Sequence, residues 1–460
     1  MLNLILIPKL LMIPTVLLTV KPDESTIFSA LLLSAIVVFL AGKLSEEIFV
    51  RFNLPGVVGQ LLGGVILGVS ALHVLVFSED ADHAVSTHIL NVLQWATSAD
   101  ATMVSAAYSN QLTAISEGAA NLGVIALLFL IGLESDFDEL VQVGPQAAIV
   151  ALSGVVLPFV GGTLGLIYFF DMATLPAVFA GAALTATSIG ITAKVLKDLG
   201  QLQSRTGQII IGAAVLDDLL GIVILSVVVS VVKGGSVSLV NLAFLILSTA
   251  AFVGGVVLLR QQLGSAFVRF TRLLKTESAL LVSGIVFALG CAAVANAIHL
   301  EAILGAFAAG IILSDTDIKH ELTEQFQPLV NVIAPIFFVV IGAKTDLSAL
   351  NPNNSESLTG LTIAAFLILV AILGKAVTGY LLPSAPALNR LAVGVGMVPR
   401  GEVGLVFAGI GTELGILSQS LTVAIVLMVI VTTLVAPLFL RWIFSTSSSS
   451  IYFDSSKTTH

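Results

Sequence analysis

The sequence predicts an all-α polytopic membrane protein of about thirteen transmembrane helices, built as inverted-topology repeats with two crossed broken helices. Three observations carry this reading. First, 57% of the 460 residues are hydrophobic and only 10% are charged, with a mean hydropathy of +1.08, a composition of bilayer-embedded chains rather than large soluble domains. Second, apolar runs long enough to cross a ~30 Å hydrocarbon core recur along the chain. Third, two adjacent acids, Asp217 and Asp218, sit in the middle of one such run, SRTGQIIIGAAVLDDLLGIVILSVVVSVV, where helix rise puts both near the midplane. An ionised carboxylate at that depth costs at least ~2.5 kcal/mol on insertion scales, so the pair belongs to a polar interior or a cavity. The plainer reading is a buried structural ion pair.

In chain order, residues 5–20 are apolar but short and broken by Pro8, Lys9 and Pro14. They read as a signal-like or interfacial segment within residues 1–24. The membrane domain, 25–444, then divides into spans at 25–42, 54–77, 113–133, 146–170, 174–196, 204–232, 238–259, 276–298, 299–314, 328–346, 359–383, 390–414 and 418–442, the eighth and ninth nearly fused. The tail 445–460, STSSSSIYFDSSKTTH, is short and polar and is expected to be disordered on the cytoplasmic side. Orientation follows from the cations. With the N-terminus outside, Lys43, Arg51, Lys194, Lys197, Arg260, Arg272, Lys319, Arg390 and Arg441 all fall on the cytoplasmic side. The stretch 78–112 carries Glu79, Asp80, Asp82 and Asp100 but no Lys or Arg, and reads as an outer loop.

Other chemistries find little support. The net charge of −9 comes from acids in a few loops, and no basic run suggests nucleic acid. Cys291 is the single cysteine, which excludes an intramolecular disulfide, and the scattered His residues form no metal-ligand pattern. No phosphate-binding loop of the GxxxxGK[ST] type occurs, so ATP-driven pumping is not indicated.

An odd number of spans divides into two sets of opposite orientation about a central linker span. That pairing matches the fourth span with the eleventh, the fifth with the twelfth and the sixth with the thirteenth. The fifth is interrupted at its centre by Thr185-Ala186-Thr187-Ser188 and the twelfth by Pro399-Arg400-Gly401-Glu402, residues that weaken or break helices. Paired breaks at one depth point to a midplane transport site. Free carbonyls and amides then meet there, with half-helix ends of opposite partial charge. Hydroxyls and carbonyls of Thr185, Thr187 and Ser188 can complete an oxygen shell for a small monovalent cation, with Asp217 and Asp218 supplying charge. Arg400 and Glu402 read as compensators of the half-helix ends. Lys375 lies inside the eleventh span, ~12 Å from its cytoplasmic end by helix rise. That is far for snorkelling and favours a buried partnership with Asp217 over a surface position.

The stretches LPGVVGQLLGGVILG (54–68) and GVIALLFLIGLE (123–134), the Asp217-Asp218 pair, Lys375 and the Pro-Arg-Gly-Glu break together resemble the monovalent cation:proton antiporters over roughly residues 25–442. The resemblance is to the second cation:proton antiporter family and its cyanobacterial sodium/proton members. It implies an inner-membrane or thylakoid protein that is not an enzyme and has no cofactor beyond the transported Na+ and H+. It implies a homodimer in which spans four to six and eleven to thirteen form a mobile core and the remainder serves dimerisation and linkage. It assigns Na+ binding to Asp218 and a Lys375 pairing to Asp217. One departure from the resemblance is expected, the C-terminal nucleotide-binding domain of the potassium-efflux relatives being missing because the tail 445–460 is too short and polar to fold. The competing readings are a K+/H+ antiporter, a sodium-coupled symporter, and an intramembrane aspartyl protease. The last needs carboxylates that meet from two helices, whereas neighbours on one helix diverge by ~100°.

Overall fold

A computed structural model describes residues 22–78, 84–232, 239–344, 355–383, 388–401, 403–404, 407–408, 411 and 414–454. Residues 1–21 of the expected signal-like segment 1–24 lie outside them. Every regular element among them is helical, as a bilayer requires of a chain whose backbone amides must be satisfied without water.

The first half runs α1 (Glu24–Arg51), α2 (Gly56–Leu67), α3 (Thr87–Thr97), α4 (Ala101–Ile115), a π-helical turn (Ser116–Ala120), α5 (Asn121–Glu134), α6 (Phe137–Gln142), α7 (Gly144–Phe170), α8 (Thr174–Ala183), α9 (Ile189–Asp198) and α10 (Arg205–Val232). The second half runs α11 (Leu239–Leu273), α12 (Ala279–Ala297), α13 (Ala302–Leu313), α14 (Lys319–Ala343), α15 (Ser355–Ala376) with a 3-10 turn (Val377–Leu381), α16 (Arg390–Gly396) and α17 (Gln419–Asp454). Asp23 starts α1 by accepting the Thr26 amide. One face of α1 buries Ala30, Ser34 and Val38, while Phe28, Leu32, Ile36 and Phe39 point outward, as on a helix with lipid on one side.

Two expectations are corrected. The stretch 78–112 is not a plain loop: it contains α3 and α4, and α4 runs through the π-helical turn into α5 as one apolar element, Ala101–Glu134. Val104, Ala107, Tyr108 and Leu112 are the buried face of α4, and this face holds the segment against α1. The second span stops as a helix at Leu67, because the chain turns beyond Gly68 and passes His73 with φ of 50°. Helix α17 runs on to Asp454, into the tail 445–460; 455–460 lie outside the described residues.

Among the described residues nine helices are long and apolar enough to cross a membrane, and three apolar helices are shorter: α2, α8 and α13. The expected twelfth span falls partly outside the described residues, so length alone does not close the count.

Buried apolar side chains gather in two main clusters that share helices. The larger draws on α1, α2, α4, α5, α13 and α14 and also on α7, α9, α10 and α16, and the second on α7, α8, α15 and α17. Glycines set the closest approaches, as small residues do between membrane helices. A Cβ on Gly132 would lie 2.2 Å from the Phe307 carbonyl oxygen, and one on Gly310 2.2 Å from that of Phe129. The backbones of α5 and α13 are therefore in direct contact.

Candidate functional site

Near its middle, α10 carries Asp217 and Asp218, and the helix turn sends the two carboxylates to different neighbours. Asp217 is fully buried and accepts two hydrogen bonds from Lys375 Nζ, at 3.0 and 3.1 Å. Lys375 is itself fully buried, so it does not snorkel. Space for it comes from Gly154 on α7, where a Cβ would lie 3.1 Å from Nζ. Its carbonyl accepts the Thr378 hydroxyl at 2.7 Å, satisfying a group freed where α15 tightens into the 3-10 turn. An ion pair buried this deeply adds little net stability, yet loss of one partner is strongly destabilising.

Asp218 faces the crossing of two broken helices. α8 ends at Ala183 and α9 begins at Ile189, while α16 ends at Gly396 and leaves 397–401 non-helical. Hydroxyl side chains compete for backbone groups in the first break; in the second, Pro399 offers no amide and disfavours helix at Val398. The two breaks bond to each other. The Ser188 amide donates to the Pro399 carbonyl at 2.8 Å, the Thr187 hydroxyl to the Met397 carbonyl at 3.0 Å, and the Thr192 hydroxyl to the Gly396 carbonyl at 2.9 Å. Gly401 permits the approach, since a Cβ there would lie 2.8 Å from Ser188 Oγ. Arg400, fully buried, donates from Nη1 to the Ala186 carbonyl at 2.7 Å and reaches Thr185 O at 3.5 Å. A guanidinium thus stands at the carbonyl end of α8, where positive charge is favoured. Thr433 on α17 holds this arginine through its carbonyl.

A cavity of about 20 Å³ opens at the crossing, with Asp218, Thr187, Ser188, Gly401, Phe337 and Glu301 among its walls. It suits one water or one small cation and is far below the size of an organic-ligand pocket. Thr187 and Ser188 therefore share the cavity wall with Asp218. Thr185 does not join the wall, and its hydroxyl turns back to the Ala182 carbonyl at 2.8 Å. Asp217 stands one helix position away with Lys375. Glu402 lies outside the described residues. Glu301 was not anticipated: an acid at the start of a short span carries no periodic signal that separates it from a loop residue. A larger cavity of about 390 Å³ lies between α11 and the turn after α13. Its Arg260 and Arg272 are paired with Asp315 and Asp317, which makes it a clasp between elements.

The family model described as "Sodium/hydrogen exchanger, transmembrane" matches residues 21–446. The chain belongs to the sodium/hydrogen exchanger family. It is 50% identical over 447 residues to the high-affinity Na(+)/H(+) antiporter NhaS3 of Synechocystis sp., covering 96% of each chain. It is 31% identical to the Na(+)/H(+)-K(+) antiporter GerN of Bacillus cereus, over 90% of this chain and 96% of that one. The fold is similar to that of the sodium proton antiporter MjNhaP1 from Methanocaldococcus jannaschii, with a TM-score of 0.59 at 16% identity over 91% of this chain and 97% of that one. This exchanger is a multi-pass integral membrane protein.

Proposed function

We propose that this exchanger moves Na+ against H+ by alternating access, with both ions competing for Asp218. The observation that carries the reading is the division of labour within the acidic pair. Lys375 occupies Asp217, while Asp218 lines the small cavity with the hydroxyl-bearing Thr187 and Ser188. Carboxylate, hydroxyl and carbonyl oxygens are the donors a hard cation takes. In this reading Na+ sits on Asp218, Thr187 and Ser188. Lys375 balances Asp217, and the transported ion binds at Asp218. Arg400 holds the end of α8, and Glu402 shares that charge compensation. Only the protonated or Na+-loaded site passes the apolar barrier, because translocating a bare carboxylate is penalised. One ion therefore leaves before the other binds, and exchange follows without ATP. The same reading takes the protein as a homodimer and the transported ions as its only small-molecule partners.

The test is Asp218→Asn in proteoliposomes, with Na+-driven proton movement followed by a pH-sensitive dye and folding followed by thermal unfolding. The expected result is loss of exchange in a protein that unfolds as wild type does. Na+-driven proton movement at the wild-type rate would show that the ion site is elsewhere. Substituting K+ for Na+ in the same assay tests the K+/H+ alternative directly.

A further inference from the structure

The mechanism above leaves Glu301 unused. It occupies the N-cap position of α13 without making a side-chain cap bond, and among the described residues its carboxylate takes part in no hydrogen bond or ion pair. It nevertheless lines the Asp218 cavity together with Thr187, Ser188 and Gly401. α13 has 12 residues, ~18 Å of helix against a ~30 Å hydrocarbon core, so one of its ends lies within the membrane. The opposite end leads into Asp315 and Asp317, paired with Arg260 and Arg272, which belong to the cytoplasmic face on the orientation set by the cations. Glu301 is then at the inner-membrane end, on the side away from the cytoplasm. The chain turns sharply just before it, with His299 at φ of 64°, which directs the start of α13 at the helix crossing. A structural acid at such depth would be expected to hold a partner, since an unsatisfied charge there is costly.

Resting on the ion-site reading, we propose that Glu301 is the carboxylate through which Na+ reaches and leaves Asp218 from the non-cytoplasmic side, an affinity-determining residue of the exchange. An acid on the wall of a narrow cavity with low-dielectric surroundings concentrates cations at its mouth and repels anions. Na+ is held there by charge, then passes to Asp218, where Thr187 and Ser188 replace the water it sheds. Asp218 remains the group whose neutralisation permits translocation. Glu301 sets how readily the ion arrives from one face.

The experiment compares the full-length protein with Glu301→Gln and Glu301→Asp in membrane vesicles of both orientations, with Na+ offered to one face at a time. Glu301→Gln is expected to raise the apparent KM for Na+ about tenfold on the non-cytoplasmic face, leaving the cytoplasmic-face KM and the maximal rate within about twofold. Glu301→Asp keeps the charge and should stay within about twofold of wild type on both faces. Unchanged KM on both faces, equal change on both faces, or loss of turnover at saturating Na+ each overturns the proposal. A measurement independent of transport uses Cys291, the single cysteine. In a Cys291→Ser background, Glu301→Cys should react with a membrane-impermeant cationic methanethiosulfonate added to the non-cytoplasmic face, and reaction only from the cytoplasmic face overturns it. The two readings separate cleanly. Persistent exchange by Asp218→Asn defeats the ion site itself, whereas lost exchange there with an unmoved KM in Glu301→Gln defeats only the role of Glu301.

Discussion

Lys375 shows at the level of a single side chain what membrane burial demands. Its ammonium and the Asp217 carboxylate are both fully buried, so each is tolerated only through the other. Lys375→Ala removes the cation and leaves the anion in place, and is expected to destabilise the protein by about 3–5 kcal/mol. Replacing both partners, in Asp217→Asn with Lys375→Met, should recover most of that loss, because no bare charge remains. Thermal unfolding in detergent of the single and double variants checks this, and a Lys375→Ala protein as stable as wild type would contradict it. Arg400 differs in kind. Its hydrogen-bond partners are backbone carbonyls of the first break and the Thr187 hydroxyl, so its guanidinium stands at a helix end. Both cations stood out in the sequence because a charge inside an apolar run is expensive wherever it points. Glu301 gave no such signal, for only the cavity at the helix crossing distinguishes it from an acid at a span boundary.

Between elements, the backbone contact of α5 with α13 positions the cavity wall, since Val124 lies on the first and Glu301 immediately precedes the second. Gly310 has no room for any side chain there, with the Phe129 carbonyl oxygen 2.2 Å from a Cβ. Gly310→Val must push the helices apart and is expected to cost roughly 1–3 kcal/mol or more, read as a fall in Tm of the detergent-solubilised protein. An unaltered Tm would mean that the contact yields freely. Breaks in helices followed from composition: hydroxyl residues in one, Pro399 and Gly401 in the other. That they cross and bond to each other, Ser188 to Pro399 and Thr187 to Met397, depends on residues some two hundred positions apart. The helical character of α4 was concealed by Ser105, Ser109, Asn110 and Gln111, although Val104, Tyr108 and Leu112 repeat at helical spacing.

For the whole molecule, competition at one site has a kinetic consequence. If H+ and Na+ exclude one another at Asp218, the apparent KM for Na+ rises as pH falls while the maximal rate at saturating Na+ changes far less. Exchange measured in proteoliposomes over a series of pH values and Na+ concentrations tests this. A Na+ affinity independent of proton concentration would require two separate pathways. The cavity draws its walls from several elements, with Asp218 from α10, Thr187 and Ser188 from the first break and Glu301 and Phe337 from the α13 and α14 side. The proposed alternating access requires relative motion of those groups.

The sequence by itself determined the membrane class, the helical secondary structure, the depth of the acidic pair, both breaks and the buried lysine. These follow from local cost: the bilayer penalises each charge and each unpaired amide where it stands in the chain, whatever its neighbours. The partnership of Lys375 with Asp217 was expected from the sequence and its family resemblance; tertiary structure supplied its geometry and set Asp218 in a cavity wall. It also turned Thr185 away from the cavity, folded α4 onto α1 and brought Glu301 into the same cavity wall as Asp218. Those outcomes depend on the rotation of one helix against another, set by close contacts such as Gly132 on Phe307 and Gly401 on Ser188, and hydropathy along a chain carries no record of that angle.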